Sequence, residues 1–591
     1  MAEEVTRVFD LLKYSLDKPK SEFVNGKIAG KWVNYSTDEF CKTVDNLSRG
    51  LVKMGISKGG RVAVMSQNRP EWNIADFAAN QLGAYQIPLY PTLSSHDIEF
   101  ILRDAEITII FVSSEELYTK LRPCVAKVNP EIKIFTFDSI QNANHWSTLL
   151  KEGEKYSEIN LEKYRAAITP DDLLTIIYTS GTTGTPKGVM LTHSNLVSNF
   201  KNSAIILPGN LDKGLSFLPL SHIFERMIVY LYLYTRVDVY YAESMETIVA
   251  DIQYVKPQVF STVPRLLEKV YDKIVEKGKE LKGLKKQIFF WALKLAENYD
   301  TNMSGWYSFK LNIARKLVFT KWQAALGGNI SVIISGGAAL NPRLAKIFWA
   351  AGMPVFEGYG LTETSPVITV NHLNGIMFGT VGELIKGAEL KIAKDGEILV
   401  RGENVMKGYY NRPDLTEKEI DVEGWFHTGD IGELIDGRFL KITDRKKEMF
   451  KTAGGKYVAP QMLENKYKES IFIEQIMVLG ENRKFPSALI VPNFGMLKKW
   501  AEKHDLPYSN DSELIKNASV QTKIQEEIDR FGADFGNWEK VKRFALLAKE
   551  WSIVGGELTP KLSLKRKVIN EKNEFLINKI YTDAESFKSQ H

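Results

Sequence analysis

The chain has 591 residues, 44% of them hydrophobic and 25% charged. That balance excludes a disordered chain, a collagen-like fibre and a coiled coil, and the length leaves room for about two to four domains. Lys and Arg exceed Asp and Glu by only five, too little for a protein that coats nucleic acid.

The opening segment, MAEEVTRVFDLLKYSLDKPK, starts acidic and lacks an apolar core, so no signal peptide is expected. Cys41 and Cys124 belong to no CxxC pair, which argues against a disulfide framework or a Cys-rich zinc site and for a reducing, cytoplasmic setting. From residue 60 onward, short apolar runs alternate with amphipathic stretches. RVAVMS (61–66) reads as a strand, EWNIADFAANQLGA (71–84) as a helix, and YQIPLY (85–90), TIIFVSS (108–114) and KIFTF (133–137) as further strands. The alternation predicts an α/β domain, its mainly parallel sheet covered on both faces. The most apolar run, MIVYLYLY (227–234), is far shorter than the ~20 residues of a spanning helix.

QVFSTV (258–263) predicts another strand, and Pro264 opens a long helical region interrupted over 299–307. SVIIS (331–335), NPRLAKIFWAAG (341–352) and MPVFEGYG (353–360) read as strand, helix and strand. Over 379–443 short runs with polar turns predict a small β-rich subdomain closing a large N-terminal domain, 1–443. The charge-dense remainder, 444–591, is long enough for a separate, smaller α+β domain.

The sharpest local signal is YTSGTTGTPKG (178–188), a loop between two apolar runs. Gly181, Gly184 and Gly188 let backbone approach a ligand, and their N–H groups can form an anion nest. Thr179, Ser180, Thr182, Thr183 and Thr185 add hydroxyls and Lys187 a charge, a set suited to a polyphosphate. It is not a Walker A loop, because Pro186 and Gly188 stand where that motif needs Gly and Ser/Thr. In EGYGLTET, Glu357, Gly358 and Gly360 surround Tyr359, whose flat face suits an adenine, and Thr362 and Glu363 offer hard oxygens for Mg²⁺ on phosphates, although alone Glu363 reads equally as a first-turn helix carboxylate. SGGAAL supplies small residues, Gly336, Gly337 and Ala338, for a close wall, although alone it reads as an ordinary strand-to-helix turn. Asp430, in GWFHTGD, can accept from two ribose hydroxyls, although alone it reads as a turn acid.

These motifs, with LPLSHIFER (218–226), DRKKEMFKTAGGKYVAP (444–460) and ELTPKLSLKRKVI (557–569), stand in the order of the acyl-adenylate-forming superfamily. Within it the chain most resembles the long-chain fatty-acid–CoA ligases. The resemblance implies that Thr179, Ser180, Gly181, Thr182, Thr183, Gly184 and Lys187 hold ATP phosphates, and that Gly336, Gly337, Ala338, Glu357, Gly358, Tyr359 and Gly360 border AMP. It implies Thr362 at the α-phosphate, Glu363 and Thr179 at Mg²⁺, and Asp430 with Arg445 on ribose. It further implies His222 near the reacting carboxylate, Lys565 as the cation of adenylation, Lys447 as the hinge of a mobile C-terminal domain, and Gly454 and Gly455 on the coenzyme A path. Leu564 replaces the Gly of the superfamily's usual C-terminal pattern, and Lys561, Arg566 and Lys567 crowd Lys565, so the choice of Lys565 rests on alignment. His193 is expected in the cap of the helix that follows it. The activity implied is ATP-dependent ligation of a long-chain fatty acid to coenzyme A, with loading of a carrier protein as the alternative acceptor chemistry.

Between Pro264 and Lys321 thirteen Lys/Arg meet six Asp/Glu, and Phe289, Phe290 and Trp291 lie among the lysines. The stretch reads either as a membrane-surface face or as a solvated helix whose aromatics turn to the core.

Overall fold

The computed structural model describes residues 4–28, 30–180, 185–244, 246–559 and 564–588. The chain forms two compact units. The first comprises Met1–Lys391, Leu399–Thr428 and Asp436–Leu440, the second Ile392–Ile398, Gly429–Ile435 and Lys441–His591. The strands expected over 379–443 are present, and the division between units falls among them rather than after them.

The first unit holds two sheets. One runs Gly408–Tyr409, Pro186–Thr192, Leu173–Ser180, Tyr85–Leu89, Arg61–Met65, Ile109–Val112, Lys133–Thr136, Asn144–His145. Its pairs are parallel except those involving the Pro186–Thr192 hairpin arm. In the other, Val355–Gly360, Val332–Ser335, Val259–Thr262, Lys213–Ser216, Asp238–Tyr241 and Val24–Ile28 lie parallel in that order. The Ile109–Val112 strand is buried at all four residues, which is why its sequence is a continuous apolar run and not an alternation.

The helix Pro70–Asn80 starts with proline at its first turn and is buried along its whole length. It therefore has to satisfy its own polar residues internally. Asp76 takes Arg226 at 2.5 Å and Asn80 at 2.8 Å, and Asn73 accepts from the Tyr241 hydroxyl. The basic region forms helices Pro264–Glu280, Gly283–Glu297 and Gly305–Ala314, a π-helical turn Arg315–Phe319, and Thr320–Ala325. Phe289 is buried against Trp322, Phe290 is half-buried and Trp291 is exposed, so this aromatic run mostly faces the core.

The second unit centres on a sheet in which Ser487–Pro492 pairs antiparallel with Ile473–Leu479 and parallel with Arg543–Leu546. Alternate residues of these strands enter two apolar clusters, Ile476 and Ile490 on one face, Met477 and Leu489 on the other. Among the described residues no helix is long and apolar enough to cross a membrane. Both cysteines are buried and free, and burial pushes the Cys41 thiol up to about 12.

Candidate active site

In the first unit the strands Leu173–Ser180 and Pro186–Thr192 form an antiparallel hairpin that pairs Thr179 with Lys187. Gly181, Thr182, Thr183 and Gly184 lie outside the described residues, as does the Ser180 side chain. The two-residue strand Gly408–Tyr409 adds to the hairpin, Tyr409 opposite Val189, and the Tyr410 N–H donates to Gly188 O at 2.7 Å. That pairing carries the Tyr409 ring to Lys187, whose ammonium lies 4.9 Å from the ring centroid. The Tyr409 hydroxyl donates to Glu363 Oε1 at 2.9 Å. Burial and the neighbouring Glu363 carboxylate push the Tyr409 hydroxyl far above its usual range, so it stays a donor. Thr179, Lys187, Tyr409 and Glu363 thus form one connected group.

Glu363 sits in the 3₁₀ turn Thr362–Thr364, one residue beyond the strand Val355–Gly360. The turn is set by Gly360, where a Cβ would fall 1.6 Å from Pro366 O. The Met406 N–H donates to Glu363 O at 2.8 Å, a second tie to the segment bearing Tyr409. Thr362 is buried and Tyr359 half-buried, its strand position opposite Thr369. Glu357 is buried and accepts the Leu340 N–H at 2.9 Å, which holds the 336–340 turn against the strand. Its desolvation raises the carboxyl to about 8, so at neutral pH it is largely an uncharged acid. Gly336 is buried, while Gly337 and Ala338 are exposed.

His222 is the N-cap of the helix Ile223–Tyr234, and its Nδ1 accepts the Phe224 N–H at 3.1 Å. Phe224 lies where a Cβ on Gly336 would come within 3.2 Å of its ring. Arg226 fixes the helix from below. It pairs with Asp76, donates to Thr175 Oγ1 at 2.8 Å, four residues before Thr179, and donates to the Tyr230 hydroxyl at 2.8 Å. Glu225 is fully buried, accepts from the Ser261 hydroxyl and is pushed up to about 7 by burial. His193 corrects its expected role. Thr192 is the N-cap, while His193 is buried, accepts the Val8 N–H at 3.2 Å, and is held neutral by burial, which lowers it to about 3.

In the second unit Arg445 Nε donates to Asp430 Oδ1 at 2.9 Å, so the two expected ribose contacts are adjacent. Lys446 pairs with Asp395 at 2.7 Å and Glu397 at 2.8 Å, while Lys447 is exposed. Burial raises Asp444, which accepts the Arg445 and Gln461 N–H groups, to about 7. Gly454 and Gly455 form the exposed tip of the hairpin Phe450–Lys451/Tyr457–Val458, Gly455 at φ +74°. The structure separates the C-terminal cations. Arg566 spends its guanidinium on Glu464, both oxygens at 2.7 Å, and on Glu448 at 3.0 Å. Lys565, at the cap of the helix Arg566–Lys572, is exposed, as is Lys567, and Lys561 lies outside the described residues.

Tyr409, Phe224 and Arg226 were not singled out by sequence reasoning. Two of them stand in the motif that drew attention to His222, and Tyr409 follows a glycine in a stretch without chemical signature.

Residues 15–410 match the AMP-binding enzyme family and 448–585 the AMP-binding enzyme C-terminal domain. The chain is 33% identical to a long-chain-fatty-acid–CoA ligase of Mycobacterium tuberculosis, over 97% of this chain and 96% of that one. It is also 33% identical to long-chain-fatty-acid–CoA ligase 5 of Mus musculus, over 94% and 85%. Its fold resembles the adenylation domain of a carboxylate reductase from Mycobacterium chelonae, with TM-score 0.74, 22% identity, and 98% and 91% coverage. It also resembles the o-succinylbenzoate coenzyme A synthetase of Bacillus subtilis in complex with ATP and magnesium ion, with TM-score 0.67, 21% identity, and 94% and 98% coverage.

Proposed function

Because the chain belongs to the AMP-binding enzyme family, we propose that it joins a long-chain fatty acid to coenzyme A at the expense of ATP, releasing AMP and pyrophosphate. The fatty carboxylate attacks the α-phosphorus and expels pyrophosphate. The thiol of coenzyme A then attacks the acyl carbon of the mixed anhydride and expels AMP. The observation that carries this reading is the convergence of Lys187, Tyr409 and Glu363 beside Thr179, at the mouth of a Gly/Thr hairpin.

Lys187, with the hydroxyls of Thr179, Ser180, Thr182 and Thr183 and the loop backbone at Gly181 and Gly184, takes the phosphates. Tyr359 faces adenine, with Gly336, Gly337, Ala338, Gly358 and Gly360 as thin walls. Thr362 takes the α-phosphate, and Asp430 and Arg445 the ribose. Among the described residues no three His, Cys, Asp or Glu side chains cluster as a metal cage. One carboxylate, Glu363, with the Thr179 hydroxyl is a donor set that fits Mg²⁺ arriving with a nucleotide, since that ion keeps phosphate and water oxygens as its other ligands. When bound, it would neutralise phosphate charge. His222 orients the attacking carboxylate. Lys565 steadies charge during adenylation only, and a rotation near Lys447 exchanges it for Gly454 and Gly455, which admit the pantetheine arm. The acid is drawn from a membrane surface contacted by 264–321.

The test is product analysis with a series of fatty acids, with and without coenzyme A. Stoichiometric AMP and acyl-CoA from long-chain acids are expected. Turnover confined to short acids, or acyl transfer to a carrier protein in place of coenzyme A, overturns the reading.

A further inference from the structure

The outward face of the helix Gly305–Ala314 and the π-helical turn Arg315–Phe319 is apolar where a surface helix should be polar. Trp306 is 67% exposed, Phe309 55%, Leu317 49% and Ile313 36%. Their spacing, three, four and four residues, places them on one stripe. Trp306 and Phe309 stack with ring centroids 5.6 Å apart, and the Lys310 ammonium lies 5.2 Å from the Trp306 ring. The opposite face is the one that packs inward. Leu311, Ala314 and Val318 are buried, the Tyr307 hydroxyl donates to Leu295 O at 2.6 Å, and Arg315 donates to Ala350 O at 2.8 Å. The segment is therefore firmly seated, and its exposed stripe is not a misplaced core.

Charge decides what covers it. Between Asp300 and Glu357 the sequence contains no Asp or Glu, while Lys310, Lys316 and Lys321 flank the stripe and Arg315 is turned inward. A second copy of the same face would bring lysines against lysines, whereas a surface of anionic headgroups over an apolar layer meets both features at once. We infer that this face docks on an anionic lipid surface, with Trp306, Phe309, Ile313 and Leu317 entering the boundary between headgroups and acyl chains and Lys310, Lys316 and Lys321 meeting lipid phosphates. The inference deepens the membrane contact proposed for 264–321 by locating it. It moves the contact away from Phe289, which is buried, and from Lys286, whose ammonium donates to Lys279 O at 2.8 Å.

The experiment is vesicle flotation of the full chain without ATP, fatty acid or coenzyme A, so its outcome does not depend on the ligase reading. Phosphatidylcholine vesicles with and without phosphatidylglycerol are compared. Wild type is expected to float with the anionic vesicles and to be released by salt. Changing Trp306, Phe309, Ile313 and Leu317 together to Ser should lower the partition coefficient roughly 10-fold or more. Lys310→Gln with Lys316→Gln and Lys321→Gln should remove the preference for phosphatidylglycerol. Phe309→Ser alone, at an exposed position, gives a weaker loss and serves if the fourfold variant lacks a cooperative melting transition. Wild type that stays unbound, or variants that float like wild type, overturn the proposal. So does a wild-type dimer that the fourfold change dissolves while flotation persists.

Discussion

The Tyr409 hydroxyl reaches Glu363 Oε1 across 2.9 Å although the two residues are 46 positions apart in the chain. The same ring lies under the Lys187 ammonium. One aromatic side chain thus contacts both Lys187, the cation proposed for the phosphates, and Glu363, the carboxylate proposed for Mg²⁺. Tyr409→Phe removes the hydrogen bond and leaves the ring. Glu363 then loses its orientation but not its charge, so adenylation should fall roughly 10-fold, with a higher Mg²⁺ requirement. Glu363→Gln should instead cost orders of magnitude. ATP–pyrophosphate exchange titrated with Mg²⁺ distinguishes them. An unchanged Mg²⁺ midpoint in Tyr409→Phe rejects the positioning role.

The buried pair Arg226–Asp76 makes a prediction about stability. Both side chains are fully excluded from solvent, at 0% exposure. Removing one partner strands the other charge, at a cost of about 3–5 kcal/mol. Arg226→Met should therefore unfold more easily than the double variant Arg226→Met/Asp76→Leu, despite carrying fewer changes. Denaturant melts of the two check it, and a double variant less stable than the single would mean that the network with Tyr230 and Thr175, not the charge, dominates.

Much of the candidate site could be proposed from the sequence because the chemistry is local. A glycine-threonine loop, a tyrosine between glycines and an acid after a strand each announce themselves within a few residues. Tyr409, Phe224 and Arg226 were hidden because their roles arise from pairing across the sheet and from contacts with distant elements. The fold class was likewise legible, since Ile109–Val112 and its neighbours are continuous apolar runs. The stripe at Trp306, Phe309, Ile313 and Leu317 shows the limit. Its spacing is that of any helix's buried face, and only the packing of Leu311, Ala314 and Val318 reveals that it points outward.

Glu357 carries a pH prediction. Burial holds its carboxyl near 8 in the fold, against 4.5 for an ordinary glutamate. Below about pH 4.5 both folded and unfolded chains keep the proton, so the group is neutral to stability. As pH rises from there toward 8 the unfolded chain releases the proton and the folded chain retains it, so stability falls, by at most about 1.4 kcal/mol per pH unit. Glu357→Gln keeps an oxygen for the Leu340 N–H and has nothing to ionise. Relative to wild type it should gain melting temperature steadily from pH 5 to pH 8. A constant difference across that range rejects the neutral buried acid.

The final prediction separates the half-reactions. Lys565 is exposed, whereas its neighbour Arg566 is committed to Glu464 and Glu448. Arg566→Ala should therefore lower stability by several kcal/mol through its abandoned carboxylates, while Lys565→Ala should leave the melting transition alone. If Lys565 stabilises charge on the α-phosphate during adenylation, its loss should cost about 10²–10³ in rate or more in that step. Supplied with synthetic acyl-adenylate and coenzyme A, Lys565→Ala should still form the thioester. The opposite lesion belongs at Gly454, not Gly455. Gly455 has φ +74°, where any side chain strains the hairpin, whereas a Cβ on Gly454 meets nothing closer than Thr452 Oγ1 at 3.8 Å. Gly454→Leu should preserve ATP–pyrophosphate exchange and depress thioester formation from acyl-adenylate. Equal loss of both steps in Lys565→Ala, or loss of exchange first in Gly454→Leu, removes the case for one site presenting two C-terminal surfaces in turn.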